Sequence, residues 1–219
     1  MNDVQAVTFD LDGTLYDARS LRWRFALANL GQLRAVRVAL KVREELRDAE
    51  FEDGEAYRLE EARRVAERLE VSVDEARARV DRLLGERLTL ALAAAGPRPD
   101  ARAALQRMID LGIRVGVVSD YAVDDKLQVL GLAELPWQAR IAADALGALK
   151  PNKRCYLASA AALGLPPERI LHIGDRVDTD VEGARAAGLK ALLLGPPVDG
   201  IPSALTLTQA VEQIFTPPA

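Results

Sequence analysis

The chain has 219 residues, of which 49% are hydrophobic and 28% charged, and its formal net charge is −4. These values are typical of a globular protein with one large domain, or with a core domain and a smaller one, and the negative charge argues against binding to nucleic acid or to an anionic membrane. A single cysteine excludes an internal disulfide and, with no basic leader and no membrane-length apolar run in view, favours the cytoplasm.

The first element is a short apolar run from Val4 to Phe9, which predicts a buried strand. Asp10 and Asp12 follow it, two residues apart, so their carboxylates can project to the same side of the chain. Like charges at the end of a dry sheet need a cation or a proton between them, and carboxylate oxygens suit a hard cation such as Mg²⁺. On this stretch alone, a metal-assisted nucleophilic carboxylate and a plain acidic turn are both open.

The segment 18–96 is predicted to be helical, with about four helices. It is rich in Ala, Leu, Arg and Glu, contains no proline, and repeats its apolar residues at helical spacing. Ser72 and Glu75 are placed to form a capping box at the start of a helix. Gly96-Pro97-Arg98-Pro99 then ends the helical pattern.

From Asp100 onward, predicted helices alternate with predicted strands, which indicates a parallel sheet covered on both faces. Asp100 is expected to be the N-cap of the first of these helices. The strands are expected at Ile113 to Val118, Arg140 to Ala143, Ile170 to Ile173 and Lys190 to Leu194. The later helices are expected near Val123 to Leu130, after Pro151 to Leu163, Thr179 to Ala187 and Thr206 to Phe215, before a proline-rich tail.

Polar residues follow the predicted strands at their carboxyl ends, where open parallel sheets bind ligands. Ser119 follows the second strand, Asp175 follows the fourth, and Lys150 lies just before a helix. Together with Asp10 and Asp12, they suit phosphoryl transfer through a covalent acyl-phosphate, with a divalent ion offsetting the anionic charge. Each residue is unremarkable alone, and their joint placement indicates a site.

The order of these residues resembles the haloacid dehalogenase superfamily. Its four motifs are matched by Asp10-Leu11-Asp12-Gly13-Thr14, Val117-Val118-Ser119, Lys150-Pro151-Asn152, and Gly174-Asp175 with Asp180 downstream. The resemblance implies an α/β fold with a Rossmann-like, three-layer parallel-sheet core formed by residues 1–17 and 97–219. Residues 18–96 would then be a small all-helical cap, inserted after the first strand, that closes over the site.

The resemblance also implies a role for each matching residue. Asp10 would be the nucleophile. Asp12 would protonate the leaving oxygen and then activate the hydrolytic water. The implied cofactor, Mg²⁺, would be held by Asp10, Asp175 and the backbone carbonyl of Asp12, while Thr14 would support the loop.

The remaining implied roles concern the phosphoryl group. Ser119 and Lys150 would bind it. Asp120 would belong to the same phosphate-binding loop, although a carboxylate repels phosphate and we expect its side chain to point away. Asp180 would orient Lys150 or contact a metal-bound water, and Asp178 competes with it for this part.

The implied activity is that of a Mg²⁺-dependent phosphatase acting on a small phosphorylated metabolite, with no nucleic-acid or membrane partner, as a monomer or a homodimer. A phosphomutase of the same superfamily and a non-catalytic phospholigand-binding protein are the alternatives. Asp12 argues against the dehalogenase branch, in which no Asp follows the nucleophile two residues later. Five arginines of the proposed cap either form a solvated basic face or include one or two that meet a second anionic group of the substrate. They are Arg19, Arg22, Arg24, Arg34 and Arg37.

Overall fold

A computed structural model describes residues 3–215, and the expected proline-rich tail beyond them lies outside the described residues. Within that range the chain forms six strands: β1 (Ala6–Phe9), β2 (Arg114–Ser119), β3 (Trp137–Ala142), β4 (Ile170–Gly174), β5 (Lys190–Leu194) and β6 (Ser203–Ala204). They lie side by side in the order β3-β2-β1-β4-β5-β6, and every neighbouring pair is parallel. The predicted α/β fold with a parallel sheet is confirmed.

Ten α-helices are present in the described part of the chain. They are α1 (Ala18–Ala28), α2 (Leu33–Glu45), α3 (Gly54–Leu69), α4 (Val73–Val80), α5 (Leu88–Ala95), α6 (Ala101–Asp110), α7 (Asp124–Val129), α8 (Lys153–Leu163), α9 (Glu182–Ala186) and α10 (Leu207–Phe215). A π-helical turn at Asp81–Arg87 joins α4 to α5. The division into a core of residues 1–17 and 97–219 and an inserted cap of residues 18–96 stays a prediction.

Helices cover the sheet on both faces because side chains alternate along its strands. Val7 and Phe9 of β1 pack in one hydrophobic cluster with residues of α6 and α10. Ala6 packs in a second cluster with residues of α8 and α9. The result is the three-layer arrangement expected from the sequence.

Three details differ from the sequence-based expectation. The sequence pattern does not predict β6, because a strand of two residues carries no periodicity, and only its pairing with β5 identifies it. β3 begins at Trp137 instead of Arg140. Asp100 occupies the expected N-cap position of α6, but its side chain makes no capping hydrogen bond, and its carboxylate accepts instead from the Thr208 backbone N–H at 3.0 Å.

Side-chain caps fix the start of two helices, α4 and α8. Ser72 accepts a hydrogen bond from the Glu75 backbone N–H at 3.2 Å, where the sequence predicts a helix start. Asn152 caps α8 through the Arg154 N–H at 2.9 Å, so the loop that carries Lys150 ends there.

Among residues 3–215, no helix combines the length and the apolar character that a membrane crossing requires.

Candidate active site

A buried lysine lies between two aspartates at the carboxyl edge of the sheet. Lys150 Nζ donates to Asp10 Oδ1 at 2.5 Å and to Asp180 Oδ1 at 2.7 Å. All three side chains are almost fully buried. Because a buried charge without a partner is strongly destabilising, each of these groups depends on the others for its charge balance.

The carboxylates repel one another as well as binding the lysine. Burial and the neighbouring Asp180 and Asp12 raise the pKa of Asp10 above its usual range, against the attraction of Lys150. Burial and Asp180 likewise raise the pKa of Asp175. Burial alone would raise the pKa of Asp180 too, but Lys150 holds it below its usual range. Asp10 and Asp175 are therefore the carboxylates that lack sufficient positive charge nearby.

The residues present fit a hard cation. Oxygen atoms of Asp10, Asp175 and Asp180 lie within 4.8 Å of one another. Asp10 Oδ2 and Asp175 Oδ1 are buried and accept no hydrogen bond from any described residue. In contrast, Asp180 accepts from Lys150 and, through Oδ2, from the Arg176 backbone N–H at 3.0 Å. An oxygen-only donor set with two unpartnered carboxylate oxygens suits Mg²⁺.

Two glycines make room for these carboxylates. Gly13 has a φ of +103°, and a Cβ atom there would lie 2.3 Å from Asp175 Oδ2. A Cβ atom on Gly174 would lie 2.3 Å from Asp180 Cγ. Any larger residue at either position would displace a carboxylate of the cluster.

The loop after Asp12 is held by an arginine that the sequence analysis does not single out for the site. Arg98 donates to the carbonyl oxygens of Gly13 at 2.7 Å and Thr14 at 2.9 Å. The Thr14 hydroxyl, expected to support this loop, is buried and has no partner within residues 3–215. The Arg98 side chain therefore holds this loop through its backbone carbonyl oxygens.

The Asp12 side chain has a different environment from Asp10. Lys126 Nζ donates to both of its carboxylate oxygens at 2.7 Å. Tyr16 donates to Oδ1 at 2.5 Å and Ser119 to Oδ2 at 3.2 Å. Burial acts to raise the pKa of Asp12, but Lys126 and Tyr16 lower it below the usual range. The side chain is fixed in one orientation, bordering a cavity between the sheet edge and helices α1, α2 and α5.

Lys126 is a site residue that the sequence analysis misses. It lies on α7 and is buried. Val123, Lys126, Leu127 and Leu130 have the i, i+3, i+4, i+7 spacing of a buried helix face. A lysine within such an apolar face is the sequence feature that identifies it, because burial of a lysine requires a partner.

Asp120 contacts the backbone of Lys150. One carboxylate oxygen accepts from the Lys150 N–H at 2.8 Å and the other from Arg47 Nη1 at 2.8 Å, while Arg47 also donates to the Lys150 carbonyl at 2.9 Å. Both oxygens of Asp120 thus hold other protein groups. The place of Asp120 in a phosphate-binding loop, with its side chain directed away from the phosphate, stays a prediction.

The two downstream aspartates differ in position. Asp178 pairs with Arg176 at the surface at 2.5 Å, whereas Asp180 contacts Lys150 inside the protein. His172 lies behind Asp180, with its Nε2 atom 3.4 Å from Asp180 Oδ1 and its Nδ1 atom 3.0 Å from the Thr8 hydroxyl. Burial lowers the pKa of His172 in spite of Asp180, so this histidine is neutral.

Comparisons with known proteins identify the family of the chain. Residues 4–188 match the haloacid dehalogenase-like hydrolase family. A glyceraldehyde 3-phosphate phosphatase of Methanopyrus kandleri is 33% identical over 96 residues, which cover 42% of this chain and 41% of that protein. The 5-amino-6-(5-phospho-D-ribitylamino)uracil phosphatase YigB of Escherichia coli is 28% identical over 210 residues, covering 88% of this chain and 84% of that protein.

A solved structure shares the fold over nearly the whole chain. The 2-haloacid dehalogenase of Pseudomonas syringae pv. tomato superposes with a TM-score of 0.67 at 22% identity, over 95% of this chain and 97% of that one. Phosphatases and dehalogenases therefore both occur among similar proteins, and the match spans less than half the length of the Methanopyrus phosphatase.

Proposed function

The chain belongs to the haloacid dehalogenase-like hydrolase family, and we propose that it is a Mg²⁺-dependent phosphatase that hydrolyses a small phosphorylated metabolite. The observation that carries this proposal is the Asp12 carboxylate, fixed by Lys126 and Tyr16 at the border of the cavity. Hydrolysis of a phosphate ester needs a group that exchanges a proton with the leaving oxygen and with water, and Asp12 is suited to both. The relatives named as phosphatases support the same reaction class.

In the proposed reaction, Asp10 attacks phosphorus, and the ester oxygen leaves with a proton from Asp12. This step gives an aspartyl-phosphate and a free alcohol. In the second step Asp12 removes a proton from water, and the water oxygen attacks the phosphorus of the aspartyl-phosphate. Inorganic phosphate is released, and the free Asp10 carboxylate is restored. Lys126 favours the ionised form of Asp12, which the second step needs. Asp12 must therefore take up a proton before the first step begins.

The other residues of the site would bind and orient the phosphoryl group. Lys150 orients Asp10 and offsets negative charge, while Ser119 offers a hydroxyl to the phosphoryl oxygens. Asp10, Asp175 and the Asp12 carbonyl would hold Mg²⁺, which when bound offsets the charge of the carboxylates and the phosphate. The helical segment 18–96 would close over the site as a cap and exclude water.

A dehalogenase is the second candidate, because a solved dehalogenase has the same fold and the cavity beside Asp12 has apolar walls. The experiment measures phosphate release from a panel of phosphorylated metabolites, with Mg²⁺ or with EDTA, and chloride release from 2-chloropropionate. We expect phosphate release that depends on Mg²⁺ and no chloride release. Chloride release without phosphatase activity would reject the proposal.

The same panel separates the remaining alternatives. Interconversion of phosphate isomers without net release would indicate a phosphomutase. A folded protein that binds phosphate esters without converting any would indicate a binding protein.

A further inference from the structure

A cavity of about 400 Å³ lies beside the Asp12 carboxylate, between the sheet edge and helices α1, α2 and α5. This volume is in the range of small-molecule sites. Asp12 lines it, together with its hydrogen-bond partners Tyr16 and Lys126. In the proposed reaction the leaving oxygen points at Asp12, so the organic part of the substrate would occupy this cavity.

Apolar side chains form much of its wall away from Asp12. They come from three helices and the turn before α5: Leu21, Phe25, Leu40, Leu84 and Leu88. A hydrocarbon group that packs against them is removed from contact with water, and no polar group loses a hydrogen bond as a result. This wall favours an alkyl or aryl substituent.

Several polar groups of the lining already have protein partners. The Tyr16 hydroxyl donates to Asp12 at 2.5 Å, and the Tyr121 hydroxyl shares a hydrogen bond of 3.0 Å with Tyr57. The Arg43 guanidinium lies 3.8 Å above the Tyr121 ring. Sugar hydroxyls packed against these groups would have to break their contacts or give up their own hydrogen bonds to water, and both are unfavourable. Two further charged residues of the lining, Arg22 and Glu44, are exposed to water.

Lys126 and Arg47 also line the cavity, and each is already paired: Lys126 with Asp12, and Arg47 with Asp120 and Glu44. Arg47 also donates to the Lys150 carbonyl, so the cavity borders the loop that carries Lys150. In the proposed reaction the phosphoryl group would lie at Asp10 and Lys150, and a hydrocarbon would match the apolar wall beside Asp12. From this polarity, and on the basis of the proposed phosphatase function, we infer that the substrate is a phosphate monoester of an apolar alkyl or aryl alcohol and not of a sugar or nucleoside.

The test compares hexyl phosphate with glucose 6-phosphate, because both are primary alkyl phosphates and differ mainly in the polarity of the organic part. We expect kcat/KM in the presence of Mg²⁺ to be at least about tenfold higher for hexyl phosphate. An equal or higher kcat/KM for glucose 6-phosphate would overturn the inference while leaving the phosphatase function intact.

Two leucine variants provide a matched comparison. Leu40 lines the cavity and is 50% exposed, whereas Leu157 on α8 is 41% exposed and lies outside it. Leu40→Asn should reduce the preference for hexyl phosphate by about three- to tenfold, and Leu157→Asn should leave it unchanged. Equal effects of Leu40→Asn on both esters would contradict an apolar contact at that position.

A binding measurement separates this inference from the proposed reaction. Calorimetric titration with hexylphosphonate, which has no ester bond to hydrolyse, should show tighter binding than glucose 6-phosphate does. Tight hexylphosphonate binding without phosphate release from any ester would reject the phosphatase and retain the apolar site. Equal or weaker hexylphosphonate binding would reject the apolar site.

Discussion

Arg47, just after helix α2, forms an ion pair of 2.8 Å with Asp120, just after strand β2. Each partner also binds the backbone of Lys150: Arg47 donates to its carbonyl at 2.9 Å, and Asp120 accepts from its N–H at 2.8 Å. A charged pair therefore holds the Lys150 peptide from both sides. Because Arg47 comes from the helical segment, the position of that segment and the position of Lys150 are coupled.

Arg47→Gln should lower kcat by about tenfold, because it frees the Lys150 peptide and leaves the Asp120 carboxylate unpaired and mostly buried. Glu44→Gln is the control, since Glu44 is the exposed partner of Arg47 at 3.1 Å, and its loss should change kcat less than about twofold. The double variant Arg47→Gln with Asp120→Asn should be more active than Arg47→Gln alone, because no unpaired charge remains. Steady-state kinetics of the parent and these three variants checks this, and a double variant no more active than Arg47→Gln alone would contradict it.

Asp10→Asn should abolish turnover while the protein stays folded, because an amide is nearly isosteric with a carboxylate but does not attack phosphorus. Beryllium fluoride, which resembles a phosphoryl group and attaches to carboxylates, should raise the melting temperature of the parent only when Mg²⁺ is present. It should not stabilise Asp10→Asn. Equal stabilisation of both proteins in a thermal-shift assay would mean that the covalent site lies elsewhere.

Much of this site can be predicted from the sequence, because its residues lie at the carboxyl ends of strands. The apolar run before Asp10 and the run before Ser119 fix the strand ends, and parallel pairing then brings Asp10, Ser119 and Asp175 to one edge. The identity of each residue and its distance from a strand are enough to predict that neighbourhood. No long-range contact has to be known in advance.

The groups that orient these residues are harder to predict, because their positions depend on packing between distant segments. Arg47 reaches Lys150 across 103 residues of sequence and Arg98 reaches Gly13 across 85, and neither has a periodic pattern around it. Lys126 is an intermediate case, since its place on an apolar helix face indicates burial but does not reveal that Asp12 is its partner.

Asp175→Asn should weaken Mg²⁺ binding by at least about tenfold, because it removes one of the two unpartnered carboxylate oxygens. Without Mg²⁺, the variant should be more stable than the parent, since burial and Asp180 raise the pKa of Asp175 and its charge is unfavourable there. Thermal shift against Mg²⁺ concentration measures both effects. Asp178→Asn, at the exposed pair with Arg176, is the control and should alter neither.

His172 should make the stability of the protein depend on pH below about 6.5, the usual pKa of histidine. Burial lowers its pKa in the folded state, so the unfolded chain binds the proton more readily and stability is lost as pH falls through that value. His172→Gln should be destabilised at pH 8, and the difference from the parent should shrink between pH 7 and pH 5. The raised pKa values of Asp10 and Asp175 act in the opposite direction but are present in both proteins. A difference in melting temperature that does not change over this range would show that His172 is not neutral in the folded protein.

Lys126→Met should affect substrates according to how much their leaving group needs a proton. Without Lys126, the Asp12 carboxylate loses two hydrogen bonds of 2.7 Å and keeps those from Tyr16 and Ser119, so it is held less firmly towards the leaving oxygen. For an alkyl phosphate, kcat/KM should fall by about 100-fold, the usual contribution of a positioned acid. For p-nitrophenyl phosphate, whose leaving group departs without a proton, the fall in the same rate constant should be less than about tenfold.

The same variant should change the pH profile in a defined direction. Lys126 lowers the pKa of Asp12, so its removal raises that pKa. Because the first step needs protonated Asp12, the alkaline limb of the kcat/KM profile for the alkyl phosphate should move to higher pH. Lys153→Met, at the exposed start of α8, is the matched control and should change neither the profile nor the ratio of the two substrates. An equal loss with both substrates and an unmoved alkaline limb would mean that Lys126 binds the phosphate directly instead of orienting Asp12.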